Sequence, residues 1–173
     1  MAKLTILEAE HVLGRIIDTN KQLQDNGQVP VSIGFTGPAG IGKTAIVQQI
    51  AEKRGMSFVK ISLHEFEEVG DLIGYPITEY RIVRKADGKE AWVSEKMLDS
   101  VNNEKWKKTT ETHMTYAKPA WVPTEFNENG TIVLLDDYAR SSSMLIQATM
   151  ELINTGRYTT WELPKYTTIV LEK

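Results

Sequence analysis

The chain has 173 residues, of which 41% are hydrophobic and 25% are charged, and its formal net charge is −3. This size and composition favour one globular domain with a buried core, and the acidic balance argues against nucleic acid as a partner. The absence of cysteine excludes disulfide bonds, thiolate metal sites and a cysteine nucleophile.

Signals for a membrane segment and for a histidine-based metal site are also missing from the sequence. No run of about 18 apolar residues occurs, so no membrane partner is expected. The N-terminal segment lacks the charged-then-apolar pattern of a signal peptide, which favours a cytoplasmic location. The three histidines, His11, His64 and His113, lack the spacing of a metal site.

The first third of the chain has the pattern of a helix followed by a βαβ unit. Thr5 and Glu8 have capping-box spacing, and the helical apolar face behind them ends at Asn26-Gly27. Residues 31–36 and 57–62 are predicted strands, and residues 44–54 form a predicted helix between them. Because such helices connect parallel strands, the pattern predicts a parallel sheet covered by helices.

The middle of the chain departs from this pattern. Residues 80–83 and 91–93 flank an Asp-Gly pair at 87–88, which predicts a β-hairpin. The polar stretch from Ser94 to about Thr110 is predicted to be helical. Residues 78–123 contain too few apolar residues for a core of their own, so we interpret them as an insertion.

Regular structure is predicted again after residue 130. Residues 131–135 form an unbroken apolar run, which is typical of a strand buried on both faces. A helix is predicted from about Ser142 to Asn154, with Gly156 at its end, and a last strand over residues 167–171. Residues 1–173 are therefore expected to form a single α/β domain.

A glycine-rich loop lies between the first predicted strand and its helix. Its sequence GPAGIGKT matches the phosphate-binding pattern G-x-x-x-x-G-K-[ST]. In such loops the backbone N–H groups point at phosphate oxygens, the lysine reaches the β- and γ-phosphates, and the hydroxyl ligates Mg²⁺. The alternative is a tight glycine turn with a surface lysine. We predict binding of ATP with Mg²⁺ by Gly37, Pro38, Ala39, Gly40, Ile41, Gly42, Lys43, Thr44 and Ala45.

Two acidic residues follow the apolar strand of residues 131–135. P-loop NTPases hold Mg²⁺ with a carboxylate at this place, so Asp136 is predicted to position the metal together with Thr44. Asp137 is the adjacent carboxylate and is predicted to orient the attacking water. The alternative is that the acidic pair caps the next helix.

Four segments together resemble the MoxR-type branch of the AAA+ ATPases, a class of P-loop NTPase. They are GPAGIGKT, TIVLLDDYAR, QATMELI and ELPKYTTIV, and the resemblance spans roughly residues 30–171. The resemblance implies phosphate binding by residues 40–44, catalysis with Lys43, and water activation at Asp137, where the family usually has Glu. It also implies a role for Arg140 at a subunit interface, although a solvated arginine is the alternative.

The resemblance further implies a homo-oligomeric ring that uses ATP to remodel a protein partner. A polar sensor residue, a fifth strand, an arginine finger and a helical lid would follow the strand ending near Leu171, so we expect a C-terminally incomplete AAA+ domain. The insertion of residues 78–123, with Trp92 and Trp121, is a candidate for partner contact. The alternative is that both tryptophans pack the insertion onto the core.

Three other functions remain open from the sequence. A nucleotide-binding regulatory module with little hydrolysis is supported by Asp137 in place of Glu and by the missing C-terminal elements. A P-loop small-molecule kinase would need an arginine-rich lid, and Arg81 and Arg84 lie instead on a predicted hairpin. A DNA-helicase loader within the AAA+ class is disfavoured by the acidic balance.

Overall fold

The computed structural model describes residues 4–173, which form two compact units. The first unit comprises the described residues up to Ile73 together with Pro119–Lys173, and the second comprises Gly74–Lys118. The helices and strands, numbered in chain order, are α1 (Ile6–Asp25), β1 (Ile33–Phe35), α2 (Lys43–Lys53), β2 (Ser57–Ser62), α3 (Val69–Ile73), β3 (Pro76–Arg84), β4 (Glu90–Ser94), α4 (Glu95–Leu98), β5 (Trp106–Tyr116), β6 (Thr131–Asp136), α5 (Ser143–Thr155), β7 (Arg157–Tyr158), β8 (Trp161–Glu162) and β9 (Thr167–Glu172).

The first unit contains a four-stranded parallel sheet in the order β1-β9-β6-β2. The last strand in sequence, β9, therefore lies between β1 and β6. Phe35 is in register with Glu172, and Leu135 is in register with Leu171. Because all four strands are parallel, the segments that follow β1, β6 and β9 emerge at the same edge of the sheet.

Helices cover both faces of this sheet. Successive side chains of a strand point to opposite faces, and β6 is apolar and buried from Ile132 to Leu135. On one face Ile132 and Leu134 pack with α1 and α2 through Leu13, Ile17, Val47 and Ile50. On the other face Val133 and Leu135 pack with α3 and α5 through Leu72, Leu145 and Leu152. The predicted α/β fold, a parallel sheet flanked by helices, is confirmed.

A buried asparagine fastens α1 to the segment that enters β1. Asn20 is 1% exposed, and its Nδ2 donates hydrogen bonds to the Val31 carbonyl (2.9 Å) and to the Thr168 hydroxyl (3.1 Å). Its Oδ1 accepts a hydrogen bond from the Val31 N–H at 2.7 Å. One side chain thus satisfies both backbone groups of Val31 and fixes the chain just before β1.

The second unit is a three-stranded antiparallel sheet in the order β4-β3-β5. Tyr80 is in register with Val93, and Ile82 is in register with Ala91, which confirms the predicted hairpin around Asp87-Gly88. Arg81 forms ion pairs with Glu90 and Glu111 on the neighbouring strands.

The predicted helix from Ser94 to about Thr110 is wrong. Only Glu95–Leu98 is helical, and Trp106–Tyr116 forms β5. β5 carries four β-branched threonines and pairs with β3 over most of its length, so pairing across the sheet prevails over local helix propensity.

Several boundaries differ from the sequence prediction in smaller ways. β1 covers only residues 33–35 of the predicted 31–36, since the backbone of Val31 bonds to Asn20 instead of a neighbouring strand. The capping box of Thr5 and Glu8 is present, and Gly156 ends α5 with φ +69°. Pro119–Pro123 belongs to the first unit, where Trp121 Nε1 donates to the Leu72 carbonyl. Within residues 4–173 no helix is both long and apolar enough to cross a membrane.

Replacing Asn20 by alanine should destabilise the first unit. Asn20→Ala removes the partner of the Val31 N–H and carbonyl, so we expect the free energy of unfolding to fall by about 2 kcal/mol in urea titrations. Thr19→Ala on the same helix is the control, because the exposed Thr19 hydroxyl bonds to the Arg15 carbonyl within that helix, and a change below about 0.5 kcal/mol is expected. Equal effects of the two substitutions would contradict the role assigned to Asn20.

Candidate functional site

The glycine-rich loop joins β1 to α2 at the carboxyl edge of the parallel sheet. Gly40 and Gly42 adopt φ values of +79° and +87°, the left-handed region that glycine enters without steric cost. Gly42 is also the N-cap of α2, so the loop leads directly into the first turn of an 11-residue helix. The positive end of the helix dipole therefore faces the loop, which favours an anion there.

Lys43 is folded onto its own loop. Its Nζ donates hydrogen bonds to the carbonyls of Gly37 (3.0 Å) and Pro38 (3.1 Å). It also lies 3.6 Å from Glu172 Oε1, and only 10% of the Lys43 side chain is exposed. The ammonium group is thus held at the mouth of the loop by oxygen acceptors that an incoming phosphate could replace.

The acidic pair stands across from the loop at the end of β6. Asp136 Oδ2 lies 2.6 Å from Lys60 Nζ, and Asp136 Oδ1 accepts the N–H of Asp137 at 2.9 Å. The hydrogen bond that Lys60 donates to Asp136 raises the pKa of Lys60 above its ordinary value. Asp137 has φ +50°, a left-handed conformation that aspartate tolerates better than most residues.

Arg140 is the most exposed of the predicted catalytic residues. Its side chain is 75% exposed, and its Nε lies 3.7 Å from Asp137 Oδ1. Arg140 is the last residue of the short 3₁₀ turn Tyr138–Arg140. The guanidinium group is therefore accessible to a second molecule.

One cleft of about 480 Å³ collects most of the predicted site residues. From the loop it is lined by Gly37, Ala39, Gly40, Lys43 and Thr44. Asp136, Asp137 and Arg140 line it from the opposite side. Of the remaining predicted residues, Pro38 and Ile41 line a neighbouring recess and Ala45 is an exposed residue in the first turn of α2.

The donor groups in this cleft suit a magnesium ion. Mg²⁺ prefers hard oxygen ligands and is usually held by one or two protein oxygens together with substrate phosphates. The Thr44 hydroxyl and the Asp136 carboxylate, which both line the cleft, are donors of this kind. Within residues 4–173, no group of three or more histidines and acidic residues is arranged to hold a metal ion.

Two residues of this region were missed by the sequence analysis. Glu172, the last residue of β9, accepts a hydrogen bond from the Thr44 hydroxyl at 2.7 Å. Lys60 on β2 pairs with Asp136. Neither residue belongs to a local motif. Only their positions, Lys60 in the carboxyl half of a predicted strand and Glu172 directly after another, could have pointed to them.

An apolar recess of about 600 Å³ adjoins the loop on the side of α1. Val12, Phe35, Ile41 and Ile46 are among its lining residues, and Lys43 lies at its border with the cleft. The recess therefore extends the charged cleft with a surface suited to a flat apolar group.

Comparison with known proteins adds a family and three relatives. The family model "AAA domain (dynein-related subfamily)" matches residues 33–170. The chain is 29% identical to a Lon protease of Methylocella silvestris in an alignment of 112 positions that covers 56% of this chain and 13% of that protein. It is 48% identical over 42 residues to the ATP-dependent protease ATPase subunit ClpY of Bacillus velezensis and of Bacillus subtilis, which is 24% of this chain and 9% of either relative.

These matches thus cover only a small part of the relatives' own lengths. The family match, in contrast, covers most of this chain, from the first residue of β1 to within two residues of the end of β9. It includes both the glycine-rich loop and the acidic pair, the two halves of the cleft. The chain belongs to the AAA domain family of P-loop ATPases, in its dynein-related subfamily.

Proposed function

We propose that this chain binds ATP with Mg²⁺ in the cleft at the carboxyl edge of its parallel sheet and contributes to ATP hydrolysis. The observation that carries the proposal is the convergence of Lys43 and Thr44 with Asp136 and Asp137 on a single cleft. These pairs come from segments about 90 residues apart in the chain, and the sheet order brings them together.

In this proposal each side chain has one role. The loop N–H groups and the dipole of α2 hold the phosphates, and Lys43 leaves the Gly37 and Pro38 carbonyls to bind phosphate oxygens. Thr44 and Asp136 hold Mg²⁺, which when bound neutralises charge that develops on the phosphates. Asp137 orients the attacking water, and the recess beside Ile41 and Ile46 takes the base.

We further propose that the protein acts as a MoxR-like ATPase, in a homo-oligomeric ring that remodels a protein partner. The exposed Arg140, with its guanidinium directed to the cleft rim, supports a role at an interface between subunits. The three relatives are named as a protease and as ATP-dependent protease subunits, so proteins are the class of substrate that we propose.

A regulatory module with little hydrolysis is the second candidate. Asp137 Oδ1 lies 3.7 Å from Arg140, and an aspartate reaches one methylene less far than the usual glutamate. Both features favour slow turnover. The kinase alternative gains no such support, because Arg81 pairs with Glu90 and Glu111 and Arg84 pairs with Asp87 in their own sheet.

Removing the loop ammonium should weaken nucleotide binding. We expect Lys43→Ala to lower the affinity for a non-hydrolysable ATP analogue with Mg²⁺ by about 10- to 100-fold, because charge-assisted bonds to phosphate are lost. Lys53→Ala is the matched control at the other end of α2, since Lys53 is 62% exposed and pairs with Glu10. A calorimetric titration in which Lys43→Ala binds like the control would refute the phosphate-loop role.

Removing the Asp137 charge should slow ATP hydrolysis without weakening nucleotide binding. Asp137→Asn keeps a residue that tolerates φ +50°, so the backbone should persist. We expect steady-state ATP turnover to fall by about 100-fold or more, with analogue affinity nearly unchanged. Asp136→Asn should instead weaken binding that depends on Mg²⁺. Unaltered turnover in Asp137→Asn would rule out the water-orienting role.

Mixing two inactive variants tests whether Arg140 acts on a neighbouring subunit. Arg140→Ala and Asp137→Asn should each have low turnover alone. In a mixed ring, the Arg140 of an Asp137→Asn subunit can face the intact Asp137 of its neighbour, so a measurable part of the turnover should return. Turnover of the mixture that equals the average of the two variants would place Arg140 outside the neighbouring site.

A further inference from the structure

Glu172 occupies the centre of the candidate site because of the sheet order. β9 lies between β1, which leads into the glycine-rich loop, and β6, which ends at Asp136. Glu172 is in register with Phe35 and follows Leu171, the partner of Leu135. Its side chain therefore emerges between the two halves of the cleft.

The Glu172 carboxylate contacts the same two groups that the proposed function assigns to phosphate and metal. Its Oε2 accepts the Thr44 hydroxyl at 2.7 Å, and its Oε1 lies 3.6 Å from Lys43 Nζ. The exposed fractions of the Lys43 and Glu172 side chains are 10% and 12%, so this pair is shielded from most of the solvent. Lys60, the partner of Asp136, is near enough for its charge to interact with Glu172.

A shielded carboxylate at this position has opposite effects on the two forms of a nucleoside triphosphate. A metal-free triphosphate brings several negative charges to Lys43 and Thr44, and the repulsion from Glu172 is strong because the surroundings have a low dielectric constant. The Mg²⁺ complex carries less negative charge, and its metal ion is attracted to a carboxylate oxygen. Glu172 thus weakens binding of the metal-free triphosphate more than binding of its Mg²⁺ complex.

We propose that Glu172 is a specificity-determining residue that makes nucleotide binding at this site depend on Mg²⁺. The inference rests on the proposed function, since it assumes that the cleft takes a triphosphate. Lys43 alone would attract any polyanion, and the Glu172 carboxylate beside it restricts binding to the metal-complexed form.

The test compares the affinity for a fluorescent non-hydrolysable ATP analogue in Mg²⁺ and in EDTA. For the wild-type chain we expect a large ratio of the dissociation constant in EDTA to the dissociation constant in Mg²⁺. Glu172→Gln retains an acceptor for the Thr44 hydroxyl but no charge, and we expect the ratio to fall by about tenfold or more, mainly through tighter binding in EDTA. Glu172→Met, neutral and of similar length, should give the same result and carries the test if the glutamine variant folds poorly.

Two controls assign the effect to the charge at this position. Glu172→Asp retains the charge and should keep a ratio close to that of the wild type. Glu128→Gln loses one negative charge in the exposed loop before β6, at the opposite edge of the sheet, and should behave as the wild type does.

The possible outcomes separate the two proposals. If the wild type binds the analogue in Mg²⁺ but the neutral Glu172 variants keep its ratio, the inference about Glu172 is overturned and the nucleotide site stands. If the wild type binds in neither condition, the proposed function itself is wrong. A ratio that falls equally in Glu128→Gln would show that net charge alone is responsible, and it would also overturn the inference.

Discussion

Parallel pairing of β1, β9 and β6 is the constraint on which the rest of this molecule depends. The carboxyl ends of parallel strands lie at one edge of the sheet. The loop after β1, the end of β9 and the acidic pair at the end of β6 therefore meet there. The same pairing buries β6 on both faces, and helices on each face complete the two hydrophobic clusters. One pairing of strands thus brings the site residues together and places β6 between the two hydrophobic clusters.

The charges of the cleft are balanced within the chain. Lys43 faces Glu172, Lys60 faces Asp136, and Arg140 lies near Asp137. Burying charge is costly unless it is paired, so the contact between the shielded Lys43 and Glu172 side chains keeps their charges compatible with a folded domain. A phosphate or a metal ion that enters must therefore exchange partners with groups already bound to each other.

The sequence predicted the parts of this arrangement that are local. The glycine-rich loop, the apolar β6 and the capping box are contiguous patterns, and the fold class follows from their order. The polar stretch after Ser94 was mispredicted because its structure depends on pairing with β3. Glu172 and Lys60 were missed for a related reason: their partners, Thr44 and Asp136, lie far away in sequence and become neighbours only through the sheet order.

Asp136 shows that the polar groups lining the cleft are already bonded to neighbouring groups of the protein. One carboxylate oxygen accepts the N–H of Asp137 and the other binds Lys60. A carboxylate oxygen has a second lone pair, so the short backbone contact from Asp137 is compatible with a further ligand. The ammonium of Lys60 and a magnesium ion repel each other, however, and both favour the same oxygen atoms. Metal binding through Asp136 would therefore weaken its contact with Lys60, whose ammonium group also interacts with the charges of Glu172 and Glu65.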